Sequence, residues 1–378
     1  MIPTSRPSVG QEELEAVGNV FQSGWLGMGA VTAEFEEALK GRLGCRHVVA
    51  VSSGTAALHL ALEAFGIGSG DEVIVPSLTF VASPQAIVMA GATPVFCDSR
   101  EDTLLMDPED VARRITSRTR AVMPVHYAGQ ACHLDRLFEL AQRHGLVVIE
   151  DAAHAFGATF QGRAIGSFGH ATCFSFDPIK TPTCGEGGAI AVSDEGIAER
   201  LRRLRLLGID REAWKRQGAA QGWSYEVTTA GYRYHLPNFC AAIGLAQLEK
   251  FDALLARRRT IARRYDEAFA FLDTVRPLRV DYQESAVFLY VVKVPPTQRQ
   301  RFMETLRRHG VETSVHYLPN HLQPLFHPFV TAPLPCVEQV GAEIASLPMF
   351  AGLTDTEIET VIAAVRAFHR ESLSACRA

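Results

Sequence analysis

Short apolar runs rich in β-branched residues alternate with helical patterns between residues 47 and 192. This alternation is typical of a mostly parallel sheet with helices on its faces, because parallel neighbours are joined by helical crossovers. The predicted strands cover residues 47–52, 72–76, 93–97, 121–125, 146–150 and 189–192. The pattern therefore predicts an α/β fold for this part of the chain.

Helical patterns separate these predicted strands. An apolar stripe at positions i, i+3, i+4 and i+7 predicts a helix between the first two strands, formed by Ala57, Leu60, Ala61 and Ala64. Asp107 suits a helix cap and Pro108 a first helical turn, which predicts another helix from this point. We therefore expect helices packed on the sheet.

A long helix is predicted over residues 238–271, which contain no proline and many Ala, Leu and Arg residues. It would leave the large domain and begin a second one. We interpret its run of basic residues as a solvated helix face, formed by Arg257, Arg258, Arg259, Arg263 and Arg264.

Beyond this helix the pattern predicts a smaller α/β unit. Its elements are a strand at 287–294, a helix at 297–309, a strand at 311–317 and a last helix opened by a capping box of Thr354 and Glu357. We expect two domains, an N-terminal arm with a large domain over residues 1–245, and the connecting helix with a small domain over residues 246–378.

The composition describes a chain able to bury a large core, with 378 residues of which 47% are hydrophobic and 21% charged. A formal net charge of -5 gives no basic footprint for nucleic acid. The N-terminus lacks the pattern of a signal peptide, and no uncharged stretch is long enough to cross a bilayer. We expect a cytoplasmic protein without nucleic-acid or membrane partners.

Eight cysteines are scattered along the chain, with no C-x-x-C pair, at positions 45, 97, 132, 173, 184, 240, 336 and 376. This spacing suggests neither a zinc site nor a disulfide framework. We expect reduced thiols and no bound metal.

The segment 51–58, Val-Ser-Ser-Gly-Thr-Ala-Ala-Leu, leads from a strand through a turn into a helix. The free N–H groups and the dipole at the start of a helix favour a bound anion. Gly54 and Thr55 are therefore candidates for a phosphate site. Ordinary helix capping explains the same residues and stays open as the alternative.

A second candidate is Asp151, which follows the apolar run at 147–149 directly after Glu150. Ligands of open α/β sheets lie beyond the carboxyl ends of the strands. An acid there can keep a heterocyclic nitrogen protonated, as pyridoxal 5′-phosphate (PLP) requires when its ring acts as an electron sink. The alternative is an acid that caps the next turn.

A third candidate is Lys180, which lies between Pro178 and Pro182 and ahead of the glycine-rich segment 185–188. The prolines exclude a regular helix, so the lysine is expected on an irregular loop. A partly desolvated lysine amine forms Schiff bases with aldehydes. A surface charge is the alternative reading of an isolated lysine.

These motifs, in this order, resemble the DegT/StrS family of PLP-dependent sugar aminotransferases. The resemblance rests on the phosphate turn, Glu-Asp-Ala-Ala-His at 150–154, Phe-Ser-Phe-x-Pro-x-Lys at 174–180 and Gly-Glu-Gly-Gly at 185–188. Segments 24–29, 76–80 and 315–319 also resemble the family, and the similarity covers nearly the whole chain. It implies the type I, aspartate aminotransferase-like fold, with a large mixed, mostly parallel sheet and a smaller C-terminal α/β domain.

The resemblance also implies roles for individual residues. Lys180 would hold PLP as a Schiff base and move protons, and Asp151 would contact the pyridine nitrogen. His154 would bond the ring hydroxyl, where the family often has Gln, and Phe80 would stack on the ring. Further phosphate contacts are expected from Gly54, Thr55 and Ser175.

Around residues 231–236 the sequence departs from the family, which commonly has Asn at the position of Arg233 and Arg at that of His235. In relatives this segment reaches the cofactor phosphate of the neighbouring subunit, and the forked donors of Arg233 suit that task. Other positions lie in stretches that contact substrate in relatives, namely Trp25, His126, Tyr317 and His321.

The resemblance implies a homodimer with shared active sites and a ping-pong transfer of an amino group. The expected donor is L-glutamate and the expected acceptor a nucleotide-linked keto-deoxy-sugar. Alternatives are amination of a cyclitol or another ketone, a deoxysugar dehydratase, and a regulator that has lost activity. Dehydratase relatives carry His where this chain has Lys180. The sugar, the nucleotide, C3 versus C4 amination and the pathway stay open.

Overall fold

The computed structural model describes residues 1–210 and 224–375. Two helices, α1 (Gln11–Ser23) and α2 (Ala30–Leu43), precede the sheet. The strands that follow are β1 (His47–Val51), β2 (Glu72–Pro76), β3 (Thr93–Cys97), β4 (Thr119–Val122), β5 (Val147–Asp151), β6 (Thr159–Phe160), β7 (Arg163–Ala164), β8 (Ala171–Ser175) and β9 (Gly188–Val192).

Seven of these strands form one sheet in the order β1-β9-β8-β5-β4-β2-β3, while β6 and β7 form a separate hairpin. The pairs from β3 across to β8 are parallel, and β9 runs antiparallel to both of its neighbours. The predicted α/β fold with a mostly parallel sheet is therefore confirmed. Strand β8 was absent from the predicted set, although its residues adjoin the Lys180 motif.

Helices lie between the strands, as the apolar stripes predict. They are α3 (Gly54–Ala64), α4 (Ala82–Met89), α5 (Pro108–Arg114), α6 (Leu134–His144) and α7 (Glu195–Leu204). Asp107 caps α5 by accepting a hydrogen bond from the backbone N–H of Glu109, with Pro108 in the first turn. The predicted helix between the first two strands and the predicted start of α5 are both confirmed.

The rest of the described chain forms a long helix and a small antiparallel sheet. Its elements are α8 (Asn238–Phe269), β10 (Arg276–Pro277), β11 (Tyr290–Lys293), α9 (Arg299–Arg308), α10 (Pro335–Glu343), β12 (Ile344–Leu347) and α11 (Asp355–Ala375). The sheet has the order β10-β11-β12. Thr354 and Glu357 form the predicted capping box of α11.

The prediction of a strand over residues 311–317 is wrong. Val311 and Ser314 form isolated bridges to Ile2 and Ser346 rather than a ladder. The third strand of the small sheet is β12, which the sequence pattern did not identify because it follows α10 without a turn signal between them.

The arginines of α8 form a solvated face only in part, because Arg263 is exposed while the others are partly or fully covered. Arg258 is buried, with 2% exposure, and its guanidinium donates to backbone carbonyl oxygens. Arg257 and Arg264 both form ion pairs with Asp355 at the start of α11. The prediction is wrong for Arg258 because α8 packs against the small sheet and α11, which leaves part of this face without access to water.

Two hydrophobic clusters meet along α8. Phe251 and Leu255 belong to the cluster around the large sheet, whereas Ile261, Tyr265 and Phe269 belong to the cluster around the small sheet. The helix therefore contributes side chains to the hydrophobic core of each half of the molecule. The division at residues 245 and 246 stays a prediction.

Among the described residues, no helix combines the length and apolar character that a bilayer crossing requires. The seven cysteines within the described ranges are unpaired. Cys376 lies outside the described residues.

Candidate active site

A cavity of about 440 Å³ opens where the turn after β1, the ends of β5 and β8, and the segment 177–186 meet. It lies at the carboxyl end of β5, as expected for an open α/β sheet. Seven of the predicted site residues line it, namely Gly54, Thr55, Phe80, Asp151, His154, Ser175 and Lys180. The structure therefore brings together motifs that are up to 126 residues apart in the sequence.

The turn that begins α3 is shaped for close approach. Ser53 caps the helix by accepting a hydrogen bond from the backbone N–H of Ala56 at 3.1 Å. A Cβ atom at Gly54 would lie 2.7 Å from the Cβ of Ser175. Glycine is required because the turn packs directly on β8. The positive end of the helix dipole thus faces the cavity beside two hydroxyl side chains, Thr55 and Ser175.

Asp151 is held rigidly at the end of β5, with 4% exposure. Its carboxylate accepts hydrogen bonds from the Ser83 hydroxyl at 2.7 Å and the Ala153 backbone N–H at 3.0 Å. Burial raises its pKa, and these hydrogen bonds together with the charge of Lys180 partly offset that rise. The result is a fixed acid that can share a proton with a basic partner.

Lys180 projects into the cavity from an irregular segment, as the flanking prolines predict. It is 9% exposed, and its Nζ lies 3.7 Å from Asp177 Oδ2 and 4.1 Å from the ring centroid of Phe288. Burial lowers the pKa of the amine, while Asp177 and Asp151 raise it. Desolvation therefore favours the uncharged, nucleophilic form.

His154 is packed between aromatic rings. Its imidazole stacks on Phe288 at 4.2 Å, and its Nε2 lies 3.1 Å from the Tyr317 hydroxyl. Burial holds the pKa of His154 well below its usual range, so the ring is neutral. Its buried Nδ1 has no hydrogen-bond partner.

Phe80 and Tyr317 meet at the mouth of the cavity, with ring centroids 5.6 Å apart. The Phe80 ring is 54% exposed although it lies beside a largely buried site. An open aromatic face at this place is suited to stacking on a planar ring.

Two predicted substrate residues turn their polar atoms into the protein. His126 is fully buried, with Nε2 3.0 Å from Glu150 and Nδ1 accepting the backbone N–H of Cys132. His321 lies 2.7 Å from the Ser77 hydroxyl and is 3% exposed. Both imidazoles contact protein groups, and neither belongs to the lining of the cavity.

Trp25 and Arg233 are absent from the cavity lining of this subunit. The Trp25 indole is half-buried and donates to the backbone carbonyl of Met28 at 2.9 Å. Arg233 is exposed between Tyr232 and Tyr234, whose rings stack at 5.1 Å. The hydroxyl groups of these tyrosines contact Glu63 and His59 of α3 and so hold this segment against that helix.

Sequence reasoning did not single out several residues of the site. Asp177 and Glu186 lie inside the Lys180 motif, so their acidic character was a usable signal. Ser83, Phe288 and Arg258 carried no local signal, because only the fold brings them to Asp151 and Lys180.

The donor set fits PLP. The start of α3 suits a phosphate, Asp151 suits a protonated ring nitrogen, and the exposed face of Phe80 suits the ring itself. His154 supplies a buried nitrogen for a ring substituent, and the amine of Lys180 suits an aldehyde.

Comparison with known proteins agrees with this site. Residues 7–366 match the model of the DegT/DnrJ/EryC1/StrS aminotransferase family. Aminotransferase TlmJ from Streptoalloteichus hindustanus is 36% identical over 100% of both chains, with a TM-score of 0.92. Sugar aminotransferase CalS13 from Micromonospora echinospora is 34% identical over 97% of this chain and 100% of its own, with a TM-score of 0.89.

A third similar structure is Spr1654 from Streptococcus pneumoniae, assigned as a sugar aminotransferase and solved in a PLP form. It is 30% identical over 98% of this chain and 99% of its own, with a TM-score of 0.91. A family match over nearly the whole length, together with these structures, fixes the assignment. The chain belongs to the DegT/DnrJ/EryC1/StrS aminotransferase family.

Proposed function

We propose that this protein is a PLP-dependent aminotransferase that moves an amino group from L-glutamate to a nucleotide-linked keto-deoxy-sugar by a ping-pong mechanism. The observation that carries the proposal is the desolvated amine of Lys180, which shares one cavity with Asp151 and the start of α3. The sugar aminotransferases among the similar structures support a sugar acceptor. Two parts of the proposal go beyond these similarities: that the donor is L-glutamate and that the acceptor sugar is linked to a nucleotide.

The roles of the residues follow from their positions. When bound, PLP supplies an aldehyde that takes up the amino group and a ring that accepts electrons. Asp151 keeps a proton on the ring nitrogen, since Ser83 and Ala153 fix the direction of its carboxylate. Lys180 would hold the cofactor and, once its amine is free, would carry the proton removed from the amino-acid carbon to the former aldehyde carbon of the cofactor.

The other residues bind and orient. The start of α3 at Gly54 and Thr55, with Ser175, holds the phosphate. Phe80 covers one face of the ring, and His154 donates to or accepts from the ring hydroxyl. Their packing excludes water from the amine.

Tyr317 is the predicted substrate residue that we retain, because it closes the mouth of the cavity beside Phe80. We assign His126 and His321 supporting roles in the walls of the site. Trp25 would contact substrate only from a neighbouring subunit or after a rearrangement of the N-terminal arm.

We further propose a homodimer with shared sites in the cytosol. The apolar side chains of Val9, Leu14 and Phe21 are 55%, 66% and 62% exposed along one end of the subunit, which favours a covered surface. Arg233 is exposed. The next residue, Tyr234, lies beside the phosphate turn, because its backbone carbonyl accepts a hydrogen bond from the N–H of Ser52. In a dimer it would reach the phosphate of the other subunit.

The main experiment follows the absorbance band of PLP bound to lysine. Adding L-glutamate to the enzyme should abolish this band and yield pyridoxamine phosphate, and Lys180→Ala should lack both band and activity. Asp355→Asn, an exposed acid far from the cavity, serves as the control. A Lys180→Ala protein that still forms a reducible adduct at another lysine would disprove the assignment.

Acceptors are identified by incubating the pyridoxamine form with nucleotide-linked ketosugars, free ketosugars and cyclitol ketones, and following products by mass spectrometry. The proposal expects amination of a nucleotide-linked member of the panel. If only free ketones are aminated, the acceptor is not a nucleotide-linked sugar and the proposed acceptor class is wrong. Loss of water without amination would indicate a dehydratase.

Shared sites are tested by mixing two inactive variants. Lys180→Ala and Arg233→Ala subunits should each have little activity, and a mixed dimer contains one site with both residues intact. Activity should therefore return on mixing. If light scattering finds a monomer, or mixing restores nothing, the shared site is refuted.

A further inference from the structure

A buried cation lies behind Lys180 without an acidic partner. Arg258 of α8 is 2% exposed, and its guanidinium donates to the backbone carbonyls of Val287, Phe288 and Met349 at 3.1 to 3.3 Å. No carboxylate within the described ranges forms an ion pair with it. Burying an unpaired charge is expensive, and neutral donors would satisfy the same carbonyls.

The side chain shares an aromatic neighbour with the reactive amine. Both charged groups lie over the Phe288 ring, whose centroid is 5.9 Å from the Arg258 guanidinium carbon and 4.1 Å from Lys180 Nζ. The two charged groups are therefore at most about 10 Å apart. At this distance inside a protein, the repulsion between two positive charges is large enough to favour the uncharged form of the lysine amine.

Little water can screen this repulsion. Arg258, Phe288, His154 and Lys180 line one small cavity with room for about one water molecule. The Nε of Arg258 is buried and lacks a hydrogen-bond partner. On the side of Lys180 that faces Arg258, the field of the guanidinium thus acts mainly through side chains.

We propose that Arg258 is a positioning residue that keeps the Lys180 amine uncharged. The proposal rests on the proposed function, in which this amine is the reactive group. Two acids oppose that state from the cavity, because Asp177 lies 3.7 Å from Nζ and Asp151 is the fixed acid of β5. A buried cation on the opposite side offsets them.

The other titratable groups around the amine do not supply this charge. His154 and His316 are held neutral, since burial, the largest cause, lowers their pKa values. Glu186 lines the cavity and is a further acid. The cation of Arg258 also lowers the pKa of Lys180, after the larger effect of burial.

The test titrates Lys180 in the full-length chain freed of cofactor, by competitive labelling with acetic anhydride across a pH series and peptide mass spectrometry. Arg258→Met should shift the labelling midpoint upward by about one pH unit, a tenfold change in the uncharged fraction. Arg258→Lys, which keeps the charge, should restore the midpoint. Arg259→Met is the matched control, because its side chain also binds backbone carbonyls but lies on the outer side of the helix.

A folded Arg258→Met chain with an unchanged midpoint would overturn the proposal. Arg258→Gln, whose amide can still donate to a carbonyl, repeats the test if the Met variant does not fold. Failure of both neutral variants to fold would assign Arg258 a structural role only. Labelling needs no turnover, so its outcome is independent of the acceptor panel and of the Lys180→Ala spectra.

Discussion

Individual side chains in this site act through the environment that holds them. Asp151 is an ordinary acid in the sequence, but in the fold it is desolvated and fixed by Ser83, a residue 68 positions earlier in the chain. Lys180 becomes a nucleophile through burial, with two acids on one side and a buried cation on the other. Chemical identity was readable from the sequence, whereas the charge states depend on contacts across the fold.

At this scale we predict the effect of neutralising Asp151. Asp151→Asn keeps the shape and the bond to Ser83 but cannot hold a proton on the ring nitrogen. The half-reaction with L-glutamate should slow by about 10²- to 10³-fold in single-turnover absorbance measurements. Ser83→Ala, which leaves the carboxylate in place, should slow it about tenfold or less. An Asp151→Asn enzyme within tenfold of the wild type would contradict the assigned role.

Whole elements were predicted where the periodicity was strong. The six strand predictions and the start of α5 needed only alternation, caps and prolines. The weaker cases were β12 and the segment 311–317, because short segments at the edge of a sheet gain most of their definition from their partner strand. The burial of Arg258 in α8 was missed for the same reason, because the sequence pattern predicts the helix but its neighbours determine which side chains are buried.

Gly244 of α8 tests how closely elements pack. A Cβ atom there would lie 2.6 Å from the Phe35 ring and 2.7 Å from the Cys184 sulfur, both buried. Gly244→Ala should therefore lower the free energy of unfolding by about 1–3 kcal/mol, although alanine is the better helix former. Gly41 in α2 has open space at its Cβ, so Gly41→Ala should raise it by about 0.5–1 kcal/mol. Urea unfolding measures both, and a stabilised Gly244→Ala chain would show that the helices are not tightly packed.

At the scale of the whole molecule, the two hydrophobic clusters close around groups that titrate. His154 and His316 are buried near Lys180, and burial lowers the pKa of His316 to about 4. In the unfolded chain both histidines bind protons below about pH 6.5. At these two positions the unfolded state therefore binds more protons in this range, so they make the chain less stable as the pH decreases. His126 acts in the opposite direction because, against the effect of burial, Cys132 and Glu150 raise its pKa to about 10.

We expect the urea midpoint of the cofactor-free chain to fall between pH 7 and pH 5. Each of the two histidines contributes up to about 1.4 kcal/mol per pH unit to the slope. His316→Asn, which cannot take up a proton, should give a shallower slope by about one proton. A His316→Asn chain whose midpoint depends on pH as steeply as that of the wild type would contradict the burial of this ring in a neutral form.

The sequence by itself determined the fold class and the family and pointed to the residues proposed for the cofactor site. All three depend on local patterns, namely alternating strands, helix starts, and an acid or lysine placed by prolines and glycines. Only the tertiary structure decided which of those residues meet and in what state. It buried His126 and His321, brought Phe288 and Arg258 to Lys180, and gave Asp151 its partner. The reason is physical, since desolvation and charge coupling depend on distances in space, which separation along the chain does not define.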